Sequence, residues 1–181
     1  MTFTYTSSAG SYFPTGATVS DAGVNFSVFS RHATGAELLL YEAAGSPEPF
    51  QIIRLHPKTN RSFFFWHVFV EGLPAGTHYT WRTFGPSDTA ATGRRFNPKK
   101  ELVDPWAKAV TDVFWDRRRA SDPNDESRSS YRGVAAKRTI CGRTSVPVNG
   151  GSRVRSSMNC MSEALRATHL LASDILARSP A

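Results

Sequence analysis

The last fifty residues contain no aromatic side chain: all twenty-one Phe, Trp and Tyr residues lie at or before Tyr131. Large rings dominate the energetics of most cores, so the capacity to fold is concentrated before that point. Cysteine is as scarce, with only Cys141 and Cys160, both in the aromatic-free stretch. A disulfide between them is open but not required by the spacing, and two lone cysteines fit a reducing cytoplasm. No apolar run approaches the roughly eighteen residues that would cross a bilayer, which excludes a spanning helix and a membrane partner. Residues 1–10 have neither a basic start nor an apolar stretch, so no secretory signal is expected. The five histidines, His32, His56, His67, His78 and His169, lack the spacing of a zinc site, and no Gly-x-Ser-x-Gly elbow occurs. Neither a metal nor a cofactor is expected.

Charge divides where the aromatics stop. Residues 1–115 hold ten Lys/Arg against nine Asp/Glu, and residues 116–181 hold twelve against six. The excess of +7 therefore belongs mostly to the tail. Its densest cluster, Arg117-Arg118-Arg119, invites a nucleic-acid reading. No aromatics interleave with these arginines, so bases would find no stacking platform, and a solvated basic segment is the favoured reading.

The aromatic part reads as short strands. Val24, Phe26 and Val28 fall on one face of a period-two run over 24–30, and similar runs follow at 36–42, 50–56, 63–71 and 78–84. Turn formers separate them, including Thr34-Gly35, Gly45-Ser46-Pro47 and Leu73-Pro74-Ala75-Gly76. Short strands without intervening helices predict an all-β sandwich. Its expected extent is 1–115, followed by a polar basic linker over 116–157 and an amphipathic helix over 158–181. Residues 87–115 look irregular, and 116–130 reads as a loop.

The run at 63–71 is apolar on both faces. Phe64, Trp66, Val68 and Val70 take one side, and Phe63, Phe65 and Phe69 the other. An outer strand of an isolated sandwich normally shows water a polar face, so a docked neighbouring domain is expected there.

Several blocks, in order, resemble the opening of isoamylase-type glycogen debranching enzymes. They are Phe13-Pro14-Thr15-Gly16-Ala17-Thr18, Gly23-Val24-Asn25-Phe26-Ser27-Val28-Phe29-Ser30, Trp66-His67, Leu73-Pro74-Ala75-Gly76-Thr77-His78-Tyr79 and Arg82-Thr83-Phe84-Gly85-Pro86. Gly93-Arg94-Arg95-Phe96-Asn97-Pro98 and Leu102-Val103-Asp104-Pro105-Trp106-Ala107 are similar to that family's Gly-His-Arg-Phe-Asn-Pro and Leu-Leu-Asp-Pro-Tyr-Ala. Arg94, Glu101 and Trp106 depart from the pattern, the first two placing charge on a segment expected to dock. The resemblance, over about 12–136, implies an immunoglobulin-like β-sandwich of the starch-binding type. In the family this module precedes a (β/α)₈ barrel that hydrolyses α-1,6 branches of glycogen. It implies glycogen or a related α-glucan as partner, and the barrel as intramolecular partner.

Only 66 residues follow Trp115, whereas such a barrel takes about 250. Beyond residue 136 the carboxylates are Glu163 and Asp174, without the paired arrangement that glycoside hydrolysis uses. No catalytic residue is therefore assigned. Read one base back, the codons for residues 156–166 permit Ile-Tyr-Glu-Leu-His-Val-Arg-Gly-Phe-Thr, similar to the family's barrel-opening strand. A frameshift between about residues 134 and 139 is the expected origin of the tail. A gene with no family-like reading in the alternative frame would overturn that expectation.

The candidate carbohydrate contacts are Trp66, Tyr79, Trp81 and Arg82, with Trp106 and Trp115 as further flat rings. Tyr79 and Trp81 share a strand face. Core packing is the default for Trp66 and Trp81, and structural hydrogen bonding or ion pairing for His67 and Arg82. The expected docking residues are Phe63, Phe65, Phe69, Arg95, Phe96, Asn97, Pro98, Asp104, Pro105 and Trp106. Asn97 and Asp104 sit beside prolines, where turn and cap bonding is the default. A free-standing glucan-binding module and a basic interaction protein are the alternative readings.

Overall fold

The computed structural model describes residues 4–122 and 131–137. Expected strands form where the period-two runs lie: β3 (Gly23–Phe29), β4 (Gly35–Tyr41), β5 (Gln51–Leu55), β7 (Phe65–Glu71) and β8 (His78–Phe84). Five more were not read from the sequence: β1 (Ser7–Ser8), β2 (Gly16–Ser20), β6 (Arg61–Ser62), β9 (Ala109–Thr111) and β10 (Arg132–Val134). The short helices α1 (Thr89–Thr92) and α2 (Arg117–Ser121) complete the elements. The Asp116 carboxylate caps α2 by accepting from the Arg118 and Arg119 amides, so the loop expected over 116–130 begins with a helical turn.

Two antiparallel sheets result. One runs β1-β7-β3-β2 with β6 beside β7, and the other runs β5-β4-β8-β10-β9. Their facing sides meet in one core, with Val24, Phe26, Val28, Trp66, Val68 and Val70 from the first sheet and Ala36, Leu38, Leu40, Tyr79 and Trp81 from the second. Alternation sends every second side chain inward, as an immunoglobulin-like sandwich requires. Phe26 and Tyr79 meet edge to face at 4.9 Å across this interior.

The sheet continues past the boundary expected at residue 115. In β10, Gly133 pairs with Tyr79 of β8 and with Val110 of β9, and Ala135 is fully buried in the core. The linker reading over 123–130 and 138–157, the amphipathic helix at 158–181 and the region of the expected frameshift beyond residue 137 lie outside the described residues.

Irregular chain adds to both sheets, across the outer side of the first and along the β8 edge of the second. Residues 8–14 cross the first sheet: the Asn25 side chain accepts from the Ser11 amide at 2.7 Å and donates to the Ser11 carbonyl at 2.9 Å, while Ser27 Oγ donates to the Tyr12 carbonyl. Gly10 permits the crossing, because a Cβ there would collide with Asn25 Oδ1 and the backbone of Val68. Residues 96–104 run along the β8 edge of the second sheet, with Phe96 packed against the core. The Phe96 ring stands where a Cβ on Gly85 would be, 2.7 Å away, and Leu102 exchanges two backbone hydrogen bonds with Trp81.

Candidate functional site

The sequence grouped Trp66, Tyr79, Trp81 and Arg82 as sugar contacts. The structure removes the three rings from that role: Trp66 and Tyr79 are 0% exposed and Trp81 is 1%. They project into the sandwich, where the period-two face places them, and present no ring face to a pyranose. Arg82 lies on the outer side of β8, held by Glu37 at 3.4 Å and Glu101 at 3.9 Å. Glu37 in turn accepts from Arg54 at 2.8 Å.

This ion group extends into a buried polar layer. Thr80 Oγ1 donates to Glu101 at 3.3 Å, and the Arg132 guanidinium lies 3.7 Å from the centroid of the Tyr41 ring. The Arg132 guanidinium also lies 4.7 Å from the centroid of the Phe114 ring, and its Nη1 donates to the Ala43 and Ala44 carbonyls. Burial, then contact with Glu101, pushes the Tyr41 phenol well above its ordinary range. Glu101, expected to place charge on a docking surface, is 1% exposed and closes this layer from within.

Asp104 is likewise internal. Tyr79 donates its hydroxyl to Asp104 Oδ2 at 2.9 Å, and the Trp106 amide donates to Oδ1 at 2.9 Å. Burial raises the Asp104 carboxyl from its ordinary value, while those donors and the Trp81 indole hold it down in part. Asn97 makes a local turn, accepting from the Lys99 amide with its side chain and from the Lys100 amide with its carbonyl. Of the expected docking residues, Asp104 and Phe96 thus spend their contacts inside the domain. Arg95, Pro98, Pro105 and Trp106 are exposed.

The other expected docking residues lead to a feature that the sequence did not assemble. Phe65 and Phe69 point away from the core on β7, and Phe29 is the register partner of Phe65 on β3. Tyr12 lies 6.2 Å from Phe65, Phe65 5.3 Å from Phe29, and Phe29 6.2 Å from Phe64, all tilted or edge to face. Phe64, expected on the Trp66 face, is instead in the β6–β7 turn. Phe63 stands at the tip of that turn, 86% exposed, with φ 55°. The available signal was the apolar Phe29 at the outward position of its strand; Tyr12 arrives only through the crossing of residues 8–14. Elsewhere the exposed Trp115 stacks on the half-buried Tyr131 at 5.1 Å.

His67, on the same outer face of β7, shares a hydrogen bond with Ser62 Oγ through Nε2 at 2.9 Å. Burial lowers its pKa, and burial followed by the Arg132 charge lowers that of His78. Among the described residues no group of three His, Cys, Asp or Glu side chains is arranged to hold a metal, and no helix is long and apolar enough to cross a membrane.

The described residues thus form a two-sheet sandwich with exposed rings at its margins. Residues 14–107, just over half the chain, match the family described as carbohydrate-binding module 48, the isoamylase N-terminal domain, and the chain belongs to that family. The glycogen debranching enzyme of Serratia proteamaculans is 44% identical over 97 residues, covering 54% of this chain and 14% of that enzyme. The glycogen debranching enzyme of Yersinia enterocolitica is 36% identical over 139 residues, covering 75% of this chain and 19% of that enzyme. The chain thus spans less than a fifth of the length of these curated relatives. Among solved structures, a D350A pullulanase from Paenibacillus barengoltzii complexed with maltotriose aligns over 56% of this chain and 14% of its own, at 22% identity and TM-score 0.44.

Proposed function

We propose that this chain is the N-terminal accessory module of a glycogen debranching system, associating with α-glucan and with a catalytic barrel rather than cleaving glucan itself. The observation that carries the reading is the family match over residues 14–107 together with relatives, named glycogen debranching enzymes, of which the chain spans 14% and 19%. The parent reaction would be hydrolysis of α-1,6 branches by a carboxylate pair on the parent enzyme's catalytic barrel. A cytoplasmic setting accords with glycogen as the partner.

With Trp66, Tyr79 and Trp81 buried, the exposed indoles are Trp106 and Trp115, 42% and 40% exposed, and the glucan contact is assigned to them. Phe63, Phe65, Phe69, Arg95, Pro98 and Pro105 are the docking positions that internal bonding leaves available. Cosedimentation with glycogen tests the reading, with dextran as control. The wild-type chain should pellet with glycogen and not with dextran, and Trp115→Ala or Trp106→Ala should reduce the pelleted fraction. Equal behaviour with both polymers would refute it. Trp81→Ala cannot serve as the binding test, since it opens the core.

A further inference from the structure

The chain that leaves β9 sets an exposed indole directly before a turn of three arginines. The Trp115 amide donates to the Asp112 carbonyl at 2.9 Å, and the indole then stacks on Tyr131 at 5.1 Å and 24°. Tyr131 immediately precedes β10, where Arg132 is buried and lies 4.7 Å from the centroid of the neighbouring Phe114 ring. The indole is therefore braced against the edge of the second sheet while remaining in contact with water. A ring already fixed by its neighbour loses little freedom when a pyranose stacks on it.

α2 begins at the next residue. The Asp116 carboxylate is committed to the backbone, accepting from the Arg118 and Arg119 amides at 2.9 and 3.0 Å. At the other end Lys100 Nζ donates to the Arg119 and Asp122 carbonyls at 3.4 and 3.0 Å. The turn is thus pinned at both ends, and Arg117, Arg118 and Arg119 are exposed upon it. Asp112, Asp116 and Asp122 share the segment, yet among the described residues no carboxylate forms an ion pair with any of the three.

Ring and arginines ask for different parts of a ligand. An indole takes the apolar face of a neutral sugar, and for that purpose the arginines are superfluous. A guanidinium offers a planar fork of donors that matches two oxygens of a phosphate monoester. The three arginines follow Trp115 by two to four positions, so their long side chains reach the space around its ring. A run of bases would need successive rings, whereas one indole braced by one phenol provides a single stacking position.

We propose that Trp115 and Arg117–Arg119 form a subsite for a phosphate-bearing glucosyl unit, the indole taking the pyranose face and the guanidinium groups the phosphate monoester. The proposal deepens the glucan reading given above and rests on it.

Native electrophoresis of the full chain compares glycogen carrying introduced phosphate monoesters with the same preparation after phosphatase treatment. The wild type should be retained about threefold more tightly by the phosphorylated polymer, the scale of one exposed ion pair, and the difference should shrink as salt is raised. Arg117→Gln/Arg118→Gln/Arg119→Gln should bring the two affinities together, with a melting temperature that matches the wild type because all three side chains are exposed. Trp115→Ala should weaken retention on both polymers. Glucose 6-phosphate should displace the phosphorylated polymer where inorganic phosphate at the same concentration does not. Displacement well below the polymer's own phosphate concentration would assign the same chemistry to a free sugar phosphate.

Equal retention of both polymers by the wild type would overturn the subsite and leave the glucan reading standing. A preference that survives in the triple variant, or displacement by inorganic phosphate as effective as by glucose 6-phosphate, would also overturn it. Retention on neither polymer would remove the glucan reading itself, and the subsite with it.

Discussion

Tyr79 and Asp104 show how a single hydrogen bond joins the core to the chain that covers it. The Tyr79 ring is packed against Phe26, and its hydroxyl holds a carboxyl that is 2% exposed. Tyr79→Phe keeps the ring and strands the carboxyl. A loss of about 1–2 kcal/mol in urea unfolding is expected, and a change within error would show that this bond contributes nothing net. His67 and His78 set the pH response. Their folded pKa values lie below the ordinary 6.5, so the unfolded chain takes up protons first as pH falls. Their contribution is complete above the unfolded value and is lost as pH drops through 6.5 toward the folded values. Asp104, with its pKa raised, acts in the opposite sense: stability is lost as pH rises above 3.8 through its folded value. The urea midpoint should therefore fall between pH 7.5 and 6, and His67→Gln/His78→Gln should flatten the fall. At this scale the sequence revealed that Trp66 and Trp81 belong to the core by default, since their positions obey the strand period. It could not reveal that Glu101 is buried, because its partners Thr80 and Arg82 are brought to it by the return of a loop.

At the scale of elements, legibility follows how local the cause is. β3, β4, β5, β7 and β8 announce themselves through alternation within a single run, and each lies within about two residues of its expected place. β9 and β10 are three residues each and exist because β8 supplies an edge; nothing within Arg132-Gly133-Val134 specifies a strand by itself. The two-sided apolar run of β7 carried the expectation of a docked neighbouring domain; in the structure the outer face meets the chain's own residues 8–14 and leaves a row of phenylalanines exposed or half-buried. Asn25→Ala removes both side-chain bonds to Ser11 and should release this crossing. Limited proteolysis should then cut within residues 8–14 several times faster than in the wild type; equal rates would mean that Tyr12 packing holds it alone. Gly85→Val places a side chain where the Phe96 ring stands. Overpacking of this kind costs about 1–3 kcal/mol, and Phe96→Ala in the same chain should recover part of it in a double-mutant cycle.

For the whole molecule, sheet pairing, buried ions and exposed rings divide the labour. The interior is self-sufficient, with Arg132, Glu101 and Asp104 fastening the covering segments to the second sheet. The unspent surface is aromatic, at Phe63 and its neighbours and at Trp106 and Trp115. Family membership was legible because its motifs lie where the fold has local demands: Gly85 at a close approach, Asp104 accepting from the Trp106 amide, Asn25 under the crossing chain. The burial of all three candidate rings, Trp66, Tyr79 and Trp81, follows from the facing of the two sheets, which the period of a single strand does not specify. The central claim is of a module that associates with glucan and leaves cleavage to another domain. Its most direct test is native electrophoresis of the full chain through glycogen, with the retained band assayed for newly released reducing ends. The account predicts retardation without reducing ends; free migration, or retention accompanied by debranching, would contradict it.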